Sequence, residues 1–400
     1  MAEMAEVITE EMGSPITFSN LVQSPAPWMM LNAFLEIAAE YPWEELRPGA
    51  FGSDVMVRSE PVGVVGAIVP WNVPQFVTIP KLAPALLAGC TIVIKPSPEA
   101  PLDGLFMAEL LERAGVPKGV VSVVPGGREV GEHLVRHSGV DKIAFTGSTA
   151  AGRRIASICG EQLKRFSLEL GGKSAAIILD DADLDTTVEG LKFASLLNSG
   201  QTCIAQTRIL ASRKRYDEVV DALASMVESL AVGDPNDPGT VVGPLAAERQ
   251  QERVQKYIAL GQEEGARIVA GGNGRPVGLD KGWYVRPTVF ANVDIRMRIA
   301  REEIFGPVLT VIPYDNVDDA IRIANDSDYG LAGSVWTAEV DRGFDVARRV
   351  RTGTFGINQY LSDFNAPFGG FKGSGMGREF GREGLQQYIE FKSIVQRVGH

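Results

Sequence analysis

The sequence predicts an α/β fold built around a mostly parallel sheet. Short apolar runs rich in β-branched residues recur along the first half of the chain, and stretches with helical apolar spacing and glycine-rich turns separate them. This alternation is typical of βαβ units, in which a crossover helix returns the chain to the same end of the sheet. The candidate strands are VGVVGAIVP (62–70), TIVIKP (91–96), VVSVVPG (120–126), KIAFTGS (142–148) and SAAIILD (174–180).

The intervening segments have the apolar spacing of crossover helices. They are VTIPKLAPALLAG (77–89), LDGLFMAELLERAG (102–115) and GREVGEHLVRHS (127–138). Strands and helices together predict a layer of the kind that binds a cofactor.

The second half predicts another α/β unit. Its candidate helices cover about 183–197, 216–231 and 247–264, and the strand-like runs are RILASRK (208–214) and the regions around 307–313, 333–337 and 354–358. Two clusters of glycine, proline and asparagine, at 233–244 and 271–278, break these elements apart. The polar, glycine-containing segment 43–61 is predicted to form an arm or hairpin, with a plain surface loop as the alternative.

Length and charge narrow the class of function. Four hundred residues exceed what one simple core holds, so two or more domains are expected. A formal net charge of −11 without a dense Lys/Arg run argues against nucleic-acid and anionic-membrane partners, since both need a positive surface. Small-molecule chemistry is therefore the better prediction.

The three cysteines form an odd set without a CxxC pair, and no charged-then-apolar signal segment opens the sequence. This usage predicts a reduced, cytoplasmic protein. The longest strongly apolar stretch, 82–94, contains Pro84 and Gly89 and is too short to span a bilayer. His133 and His137 have neither a nearby cysteine nor a second histidine pair, so we interpret them as solvated helix residues and predict no metal site.

Cys203 is the first candidate for chemistry. A cysteine attacks as the thiolate and needs access, a polar setting and a lowered pKa. The stretch NSGQTCIAQ (198–206) is small and polar around it, and Gly200 allows a substrate to approach the backbone closely. The alternative is a structural cysteine in a turn. Cys90 and Cys159 lie in apolar surroundings and are weaker candidates.

Glu169 is the candidate base. Neither His133 nor His137 has a context that indicates a base, so a carboxylate has to take that part. Glu169 interrupts the strand-like run in SLELGGKS (167–174), where a charge is costly unless it is paired or used, and burial would raise its pKa toward a base's useful range. The alternative is a glutamate at a strand end that faces water.

Polar residues close the other candidate strands. Asn72 lies between prolines in VPWNVP (69–74), so a rigid amide could donate to an oxyanion, although a turn role fits equally. Gly147 and Ser148 stand between a strand and a helix, where backbone N–H groups hold a phosphate. Lys95 ends TIVIK and could bind a cofactor, or extend along the surface as an ordinary lysine.

These residues belong to a set of motifs that occur in one order along the chain. The motifs are VPWNVP (69–74), VIKPSPE (93–99), FTGST (145–149), LELGGKS (168–174), GQTC (200–203), REEIFGPV (301–308) and PFGGFKGSGMGRE (367–379). Together they closely resemble the NAD(P)-dependent aldehyde dehydrogenase superfamily of the non-acylating kind. The resemblance extends from about 9–16 to 384–392, and each motif alone would be weak.

The resemblance implies catalytic roles at matching positions. Cys203 resembles the nucleophile that attacks the aldehyde carbonyl to give a thiohemiacetal and, after hydride loss, a thioester. Asn72 and the backbone N–H of Cys203 resemble the oxyanion hole. Glu169 resembles the base that activates water to hydrolyse the thioester to a carboxylic acid.

The resemblance also implies a dinucleotide site. Lys95 and Glu303 are expected at the adenosine-side and nicotinamide-side ribose hydroxyls, and Phe305 against the nicotinamide ribose. Gly147 and Ser148 are expected at the pyrophosphate. The remaining residues expected to contact the cofactor are Pro70, Trp71, Leu170 and Gly171.

The family's architecture divides the chain into a Rossmann-type cofactor domain at 1–171, a catalytic domain at 172–376 and a C-terminal segment at 377–400. The hairpin 43–61 and the C-terminal segment are expected to form a small oligomerisation arm, in a homodimer or homotetramer. Relative to the family this sequence starts several dozen residues late, a feature expected to affect stability and cofactor affinity. Pro98 stands where many NAD-preferring relatives have a glutamate, and Glu99 follows, so NAD is predicted while NADP stays open.

Two other functions remain as alternatives. A CoA-acylating dehydrogenase would pass the acyl group to CoA, although Glu169 disfavours it because that route needs no base for water. The other alternative is a protein that has this fold but no catalytic activity. The substrate is predicted to be a hydrophobic or aromatic aldehyde, because no arginine stands beside Cys203 and the expected pocket is mostly apolar. The residues expected near that pocket are Val73, Gln75, Phe76, Leu196, Ile204 and 360–364.

Overall fold

The computed structural model describes residues 1–396, so the last four residues of the predicted C-terminal segment 377–400 lie outside the described part. The helices are α1 Ala2–Met12, α2 Ile16–Phe18, α3 Pro25–Glu40, α4 Pro74–Leu87, α5 Leu102–Arg113, α6 Arg128–Arg136, α7 Thr149–Glu161, α8 Leu184–Leu196, α9 Tyr216–Glu228, α10 Glu248–Glu263, α11 Arg298–Arg301, α12 Val317–Asn325, α13 Val340–Arg349 and α14 Gly381–Gln386.

The strands alternate with these helices over most of the chain. They are β1 Glu44–Pro48, β2 Asp54–Pro61, β3 Val64–Ile68, β4 Thr91–Lys95, β5 Val121–Val123, β6 Lys142–Thr146, β7 Arg165–Glu169, β8 Ala175–Ile178, β9 Arg208–Ser212, β10 Arg267–Ala270, β11 Thr288–Ala291, β12 Val308–Tyr314, β13 Gly333–Trp336, β14 Gly356–Ile357, β15 Gly375–Met376 and β16 Ile389–Val395.

The first sheet has the strand order β15-β7-β6-β3-β4-β5. Its pairs are parallel except for β15, which runs antiparallel to β7. From β3 the chain first moves outward through β4 and β5, and then places β6 and β7 on the other side. The strand order therefore reverses between β3 and β6, which opens a crevice at the carboxyl ends of these two strands.

The second sheet has the order β10-β11-β12-β9-β8-β13-β14 and is parallel except for the pair of β10 with β11. Separate apolar clusters pack on its two faces, which explains why β8 and β9 are buried along their whole length. A mostly parallel α/β fold is therefore confirmed for both halves of the chain.

The third sheet is antiparallel, with the order β1-β2-β16. Segment 43–61 is thus a hairpin, and the C-terminal strand β16 extends it along β2. The sequence did not predict β16, because most of its apolar residues are exposed and its pairing partner β2 is distant in sequence. The role of this sheet in oligomerisation stays a prediction, as does the division at 171 and 376.

Other elements also differ from the sequence prediction, among them α12 and α13, which were not predicted. Helix α4 begins at Pro74 instead of residue 77, because proline fits the first helical turn, where its missing N–H costs nothing. Strands β10, β11 and β15 were not predicted, since each is short and takes its partner from a distant part of the chain. In residues 1–396 no helix is long and apolar enough to cross a membrane.

Candidate active site

A cavity of about 630 Å³ opens at the crevice between the carboxyl ends of β3 and β6. Its walls come from both α/β units, and every catalytic and cofactor-binding residue predicted from the sequence lines it, whereas the residues expected near the substrate pocket do not. The predicted residues that line it are Pro70, Trp71, Asn72, Lys95, Gly147, Ser148, Glu169, Leu170, Gly171, Cys203, Glu303 and Phe305.

The parallel strands explain why side chains distant in sequence meet here. Asn72 follows β3, and Glu169 is the last residue of β7, so both leave the first sheet at the same edge. Cys203 comes from the connection between α8 and β9 on the side of the second sheet. The cavity therefore lies between the two α/β units, as ligand sites in such folds often do.

The segment before Cys203 has an unusual backbone. Asn198, Ser199 and Gly200 have φ values of 53°, 59° and 72°, so the chain makes three consecutive left-handed residues after α8. A side chain at Gly200 would also collide with the backbone of Gly306 and Pro307. The turn therefore requires glycine at this position for two reasons, which are the positive φ and the absence of a Cβ.

Hydrogen bonds join Asn72 to the same segment. The Nδ2 of Asn72 donates to the carbonyl oxygen of Gln201 at 2.7 Å, and the Nδ2 of Asn198 donates to the carbonyl oxygen of Asn72, also at 2.7 Å. An amide NH₂ carries two hydrogens, so Asn72 keeps one N–H for another acceptor. The amide is fixed beside Cys203 before any substrate arrives.

The electrostatics of Cys203 differ from the sequence prediction. The polar setting was expected to lower the thiol pKa, but desolvation, Glu303 and Glu169 together raise the pKa of Cys203 to about 12. The main reason is burial, which disfavours the charged thiolate, and carboxylates from other elements oppose the thiolate further. In the protein without cofactor, Cys203 is therefore mostly the neutral thiol at neutral pH.

Glu169 is almost fully buried, and neither of its carboxylate oxygens has a hydrogen-bond partner within residues 1–396. Burial raises the pKa of Glu169 well above its usual range, and the charge of Glu379 raises it further, while Lys81 and Arg378 lower it. The predicted upward shift is confirmed. A carboxylate whose lone pairs are not used by the protein can accept a proton from a water molecule.

Sequence reasoning missed the ion pair beside Glu169. Lys81 lies on α4 and is 1% exposed, and its Nζ donates to Glu379 Oε1 at 2.6 Å and to Thr146 Oγ1 at 2.6 Å. The signal was present in the sequence: Lys81 interrupts an apolar helix, and a lysine there is costly to bury unless it is paired. Its partner, at the end of the last motif, could not be found from local sequence.

The glycine-rich segment 367–379 holds the strand that ends in Glu169. Gly375 pairs with Glu169 in the β15–β7 ladder, and the carbonyl oxygen of Ser374 accepts from the N–H of Leu170 at 2.9 Å. The Ser374 hydroxyl also donates to the carbonyl oxygen of Gly171 at 2.7 Å. This motif therefore supports the candidate base and the residues after it.

The other end of the cavity has features that suit a phosphate. Ser148 is the N-cap of α7, and its Oγ accepts from the N–H of Ala151 at 3.3 Å. Both Ser148 and Gly147 line the cavity at the start of this 13-residue helix. The N-terminus of a helix carries unpaired N–H groups and partial positive charge, which favour an anion.

Lys95 and Glu99 mark a second polar position in the cavity. The Lys95 Nζ donates to the carbonyl oxygens of Pro96 at 2.6 Å and Gly126 at 2.5 Å, which leaves one of its three hydrogens for a ligand. Desolvation lowers the pKa of Lys95. Glu99 accepts from Ser97 and from Arg249 on α10, and these contacts with the Arg249 charge lower its pKa despite partial burial.

Glu303 and Phe305 form the wall near Cys203. Glu303 Oε1 accepts from the N–H of Gly172 at 2.9 Å, and its carboxylate packs where a side chain at Gly171 would collide with it. Desolvation raises the pKa of Glu303. The ring of Phe305, whose φ is 65°, meets the Trp71 ring edge-on with 5.6 Å between centroids. Polar groups, a helix N-terminus and an elongated cavity together fit a dinucleotide.

An α/β fold with this crevice, an anion-binding helix N-terminus, a thiol and a buried carboxylate defines a dinucleotide-dependent oxidoreductase. The sequence agrees with the profile described as "Aldehyde dehydrogenase family" over residues 1–394. The chain therefore belongs to the aldehyde dehydrogenase family.

Three relatives illustrate the similarity. Geranial dehydrogenase from Castellaniella defragrans is 53% identical, over 98% of this chain and 81% of that protein. The structure of an aldehyde dehydrogenase from Mycobacterium tuberculosis with NAD+ has a TM-score of 0.97 at 51% identity, covering 99% of this chain and 82% of that one. A mutant of aldehyde dehydrogenase C from Pseudomonas syringae, with NAD+ and octanal, has a TM-score of 0.96 at 42% identity, with 98% and 80% covered.

Proposed function

We propose that the protein oxidises an aldehyde to the carboxylic acid with NAD(P)+, using Cys203, Asn72 and Glu169. The observation that carries this proposal is the convergence of a thiol, a fixed amide and an unpaired buried carboxylate on one cavity. Each group comes from a different element, and their types match the three needs of the reaction, which are a nucleophile, an oxyanion donor and a base.

In the first step, the Cys203 thiol passes its proton to the carboxylate of Glu169, which releases it to solvent, while the sulfur bonds to the aldehyde carbon and the carbonyl π electrons move to oxygen. The free N–H of Asn72 and the backbone N–H of Cys203 donate to this oxyanion. Both donors are neutral, so they stabilise the oxyanion without cancelling its negative charge. The electron pair on this oxygen can therefore re-form the carbonyl as a hydride leaves the carbon. A nicotinamide ring held beside Cys203 by Glu303 and Phe305 would supply the hydride acceptor, and Cys203 would then carry the substrate as a thioester.

In the second step, Glu169 takes a proton from water while the water oxygen bonds to the thioester carbon. The carbonyl then re-forms as the C–S bond breaks, its electron pair stays on the Cys203 sulfur, and the sulfur recovers the proton held by Glu169 as the acid leaves. The raised pKa of Glu169 suits this step, because a base with a pKa closer to the working pH accepts a proton more readily than an ordinary carboxylate.

The cofactor would lie along the cavity from Lys95 to Cys203. The start of α7 would hold the pyrophosphate, while Lys95 and Glu303 would bind hydroxyl groups of the two riboses. The complexes of the M. tuberculosis and P. syringae relatives with NAD+ support NAD for this chain. NADP stays open, since Glu99 follows Pro98 and pairs with Arg249.

The substrate is proposed to be an apolar aldehyde. Phe76 and Phe364 are among the residues expected near the substrate pocket, and their ring centroids lie 6.0 Å apart, with Phe364 5.2 Å from the buried ring of Phe380. The names of the C. defragrans relative and of the P. syringae complex, with geranial and octanal, agree with this class. Gln75, which is also expected near the pocket, donates its Nε2 to the buried carboxylate of Asp103.

Assembly and location complete the proposal. The antiparallel sheet of β1, β2 and β16 would join copies of the chain into a homodimer or homotetramer. The three cysteines are free thiols, as expected of a reduced cytoplasmic protein.

The substitution Cys203→Ala tests the proposed function. NADH formation with aliphatic and aromatic aldehydes should fall to background, whereas NAD+ should bind with an unchanged dissociation constant in a fluorescence titration. Cys159→Ala is the matched control and should retain turnover, since this thiol is buried away from the cavity. Unchanged turnover by the Cys203 variant would refute the proposal. Acyl-CoA in place of the acid among the wild-type products would instead support a CoA-acylating dehydrogenase.

A further inference from the structure

We propose that Asn198 is a positioning residue that fixes the oxyanion donor Asn72 relative to the nucleophile Cys203. The inference rests on the proposed function, because it assigns the catalytic groups their roles. It concerns a residue that is absent from the described lining of the cavity and that would act through its neighbours.

Two hydrogen bonds run in opposite directions between the element after β3 and the segment before Cys203. The side chain of Asn72 binds the backbone of Gln201, while the side chain of Asn198 binds the backbone of Asn72, each at 2.7 Å. The joined groups are 129 and 126 residues apart in sequence. Two such hydrogen bonds fix both the distance between the two segments and their relative orientation, whereas a single bond would let the segments rotate about it.

The backbone of Asn198 adds a second constraint. Its φ of 53° and ψ of 41° lie in the left-handed region, which asparagine tolerates better than most residues. In this conformation its carbonyl oxygen accepts from both the backbone N–H of Gln201, at 3.1 Å, and the Gln201 Nε2, at 3.2 Å. These bonds close the turn just before Cys203.

The far side of the segment is anchored independently. Ser199 Oγ donates to the carbonyl oxygen of Gly243 at 3.0 Å, and Gln201 Oε1 accepts from the N–H of Ala246 at 3.1 Å. Without Asn198 these anchors would still hold the segment, but the backbone of Asn72 would lose its donor. The expected consequence is a shifted Asn72 amide in a protein that remains folded.

The burial of both asparagines increases the cost of losing the hydrogen bond between them. Asn198 is 2% exposed and Asn72 is 5% exposed, so water has little access to replace the lost hydrogen bond. A displacement of about 1 Å can cost about a hundredfold in rate when reacting groups must be aligned. The geometry therefore assigns Asn198 an effect on rate that exceeds its effect on cofactor binding.

The test uses Asn198→Gly, which removes the amide and retains freedom for a positive φ. We expect the single-turnover rate of NADH formation to fall about ten- to hundredfold, with the NAD+ dissociation constant within twofold of wild type. Asn198→Asp serves as a second variant, because it keeps the shape and turns the donor into an acceptor facing the Asn72 carbonyl. Asn292→Gly is the matched control, since Asn292 also has a left-handed φ, of 58°, and lies outside the cavity lining.

A double-mutant cycle with Asn72→Ala distinguishes positioning from general destabilisation. If Asn198 acts through Asn72, adding Asn198→Gly to the Asn72→Ala protein should cause little further loss. Independent, multiplying losses would overturn the inference, as would a single-turnover rate within twofold of wild type for both Asn198 variants. Absence of NADH formation by the wild-type protein with every aldehyde would instead refute the proposed function.

Discussion

The thiol of Cys203 lies in the field of two carboxylates, Glu169 and Glu303, and burial and these charges raise its pKa to about 12. We expect the alkylation rate of Cys203 by iodoacetamide, in protein without cofactor, to rise about tenfold per pH unit and to keep rising above pH 9, since the thiolate is the reactive form. Glu303→Gln removes one opposing charge, so it should lower the pKa and accelerate alkylation at a given pH.

Peptide mapping by mass spectrometry would assign the alkylation to Cys203, with buried Cys90 and Cys159 as internal references. A plateau in the alkylation rate near neutral pH would show that the thiol is already ionised and would contradict the electrostatic description.

The pKa of Glu169 should govern the acid side of the pH profile. Glu169 must be deprotonated to accept a proton, and its pKa is raised, so kcat should decline on acidification well above pH 4.5 if thioester hydrolysis limits turnover. Glu379→Gln removes a negative charge that raises the Glu169 pKa, so the decline should move to lower pH. The measurement is kcat against pH with a saturating aldehyde.

Lys81→Met is the opposite change, because it removes a positive charge that lowers the Glu169 pKa, and the decline should move to higher pH. Both variants disturb a buried ion pair, whose loss can cost about 3–5 kcal/mol, so circular dichroism must show a folded protein first. Shifts in the same direction for both variants would contradict the assignment.

For single residues, the sequence predicted which side chains form the site better than it predicted their burial and the charges around them. Cys203 and Glu169 could be selected because each differs in polarity from its neighbours, and Asn72 because prolines flank it, while the family resemblance implied their roles. The pKa of Cys203 could not be predicted, since its opposing charges come from other elements, and the Lys81–Glu379 pair joins residues 298 positions apart.

Among the elements, the turn between α8 and β9 depends most on one glycine. Gly200 has a φ of 72°, and a Cβ there would meet the backbone at Gly306 and Pro307, which cannot move like a flexible side chain. Gly200→Ala should therefore lower the free energy of unfolding by more than the roughly 1–2 kcal/mol that a left-handed alanine costs by itself, and it should also displace Cys203 and reduce turnover.

Gly265→Ala provides the matched control for this turn. Gly265 has a φ of 91°, and no atom lies within 4 Å of the place that an alanine Cβ would take, so Gly265→Ala measures the conformational cost alone. Urea denaturation of both variants measures the difference. Equal losses of stability would show that the contact at Gly200 has no energetic effect.

Element prediction failed where the partner is distant and succeeded for several local patterns, although the helices α12 and α13 were missed. The helical apolar spacing of 102–115 gave α5, at Leu102–Arg113, because the pattern is contained within the helix. Strand β15 is two residues long and exists through its pairing with β7, so no local pattern marks it. The same holds for β16, whose partner is the hairpin strand β2.

For the whole molecule, the antiparallel third sheet presents apolar side chains to solvent. Phe391 on β16 is 58% exposed and Leu46 on β1 is 61% exposed. If this sheet joins copies of the chain, Phe391→Glu should shift the protein toward the monomer, since an interface disfavours an unpaired charge. Light scattering after size-exclusion chromatography gives the mass.

Val277→Glu is the control for this surface change, because Val277 is fully exposed in a loop outside the third sheet. If the mass is unchanged in Phe391→Glu, or if both variants have equal effects, the third sheet does not form the contact between copies of the chain.

The central claim is that Cys203 carries the acyl group and Glu169 activates the water that removes it. Glu169→Gln keeps the shape of the base and removes its ability to take a proton, so the variant should form about one NADH per active site and then stop. Mass spectrometry should find the acyl group of the aldehyde on the peptide that contains Cys203. Continued turnover with an unmodified Cys203 peptide would contradict the account.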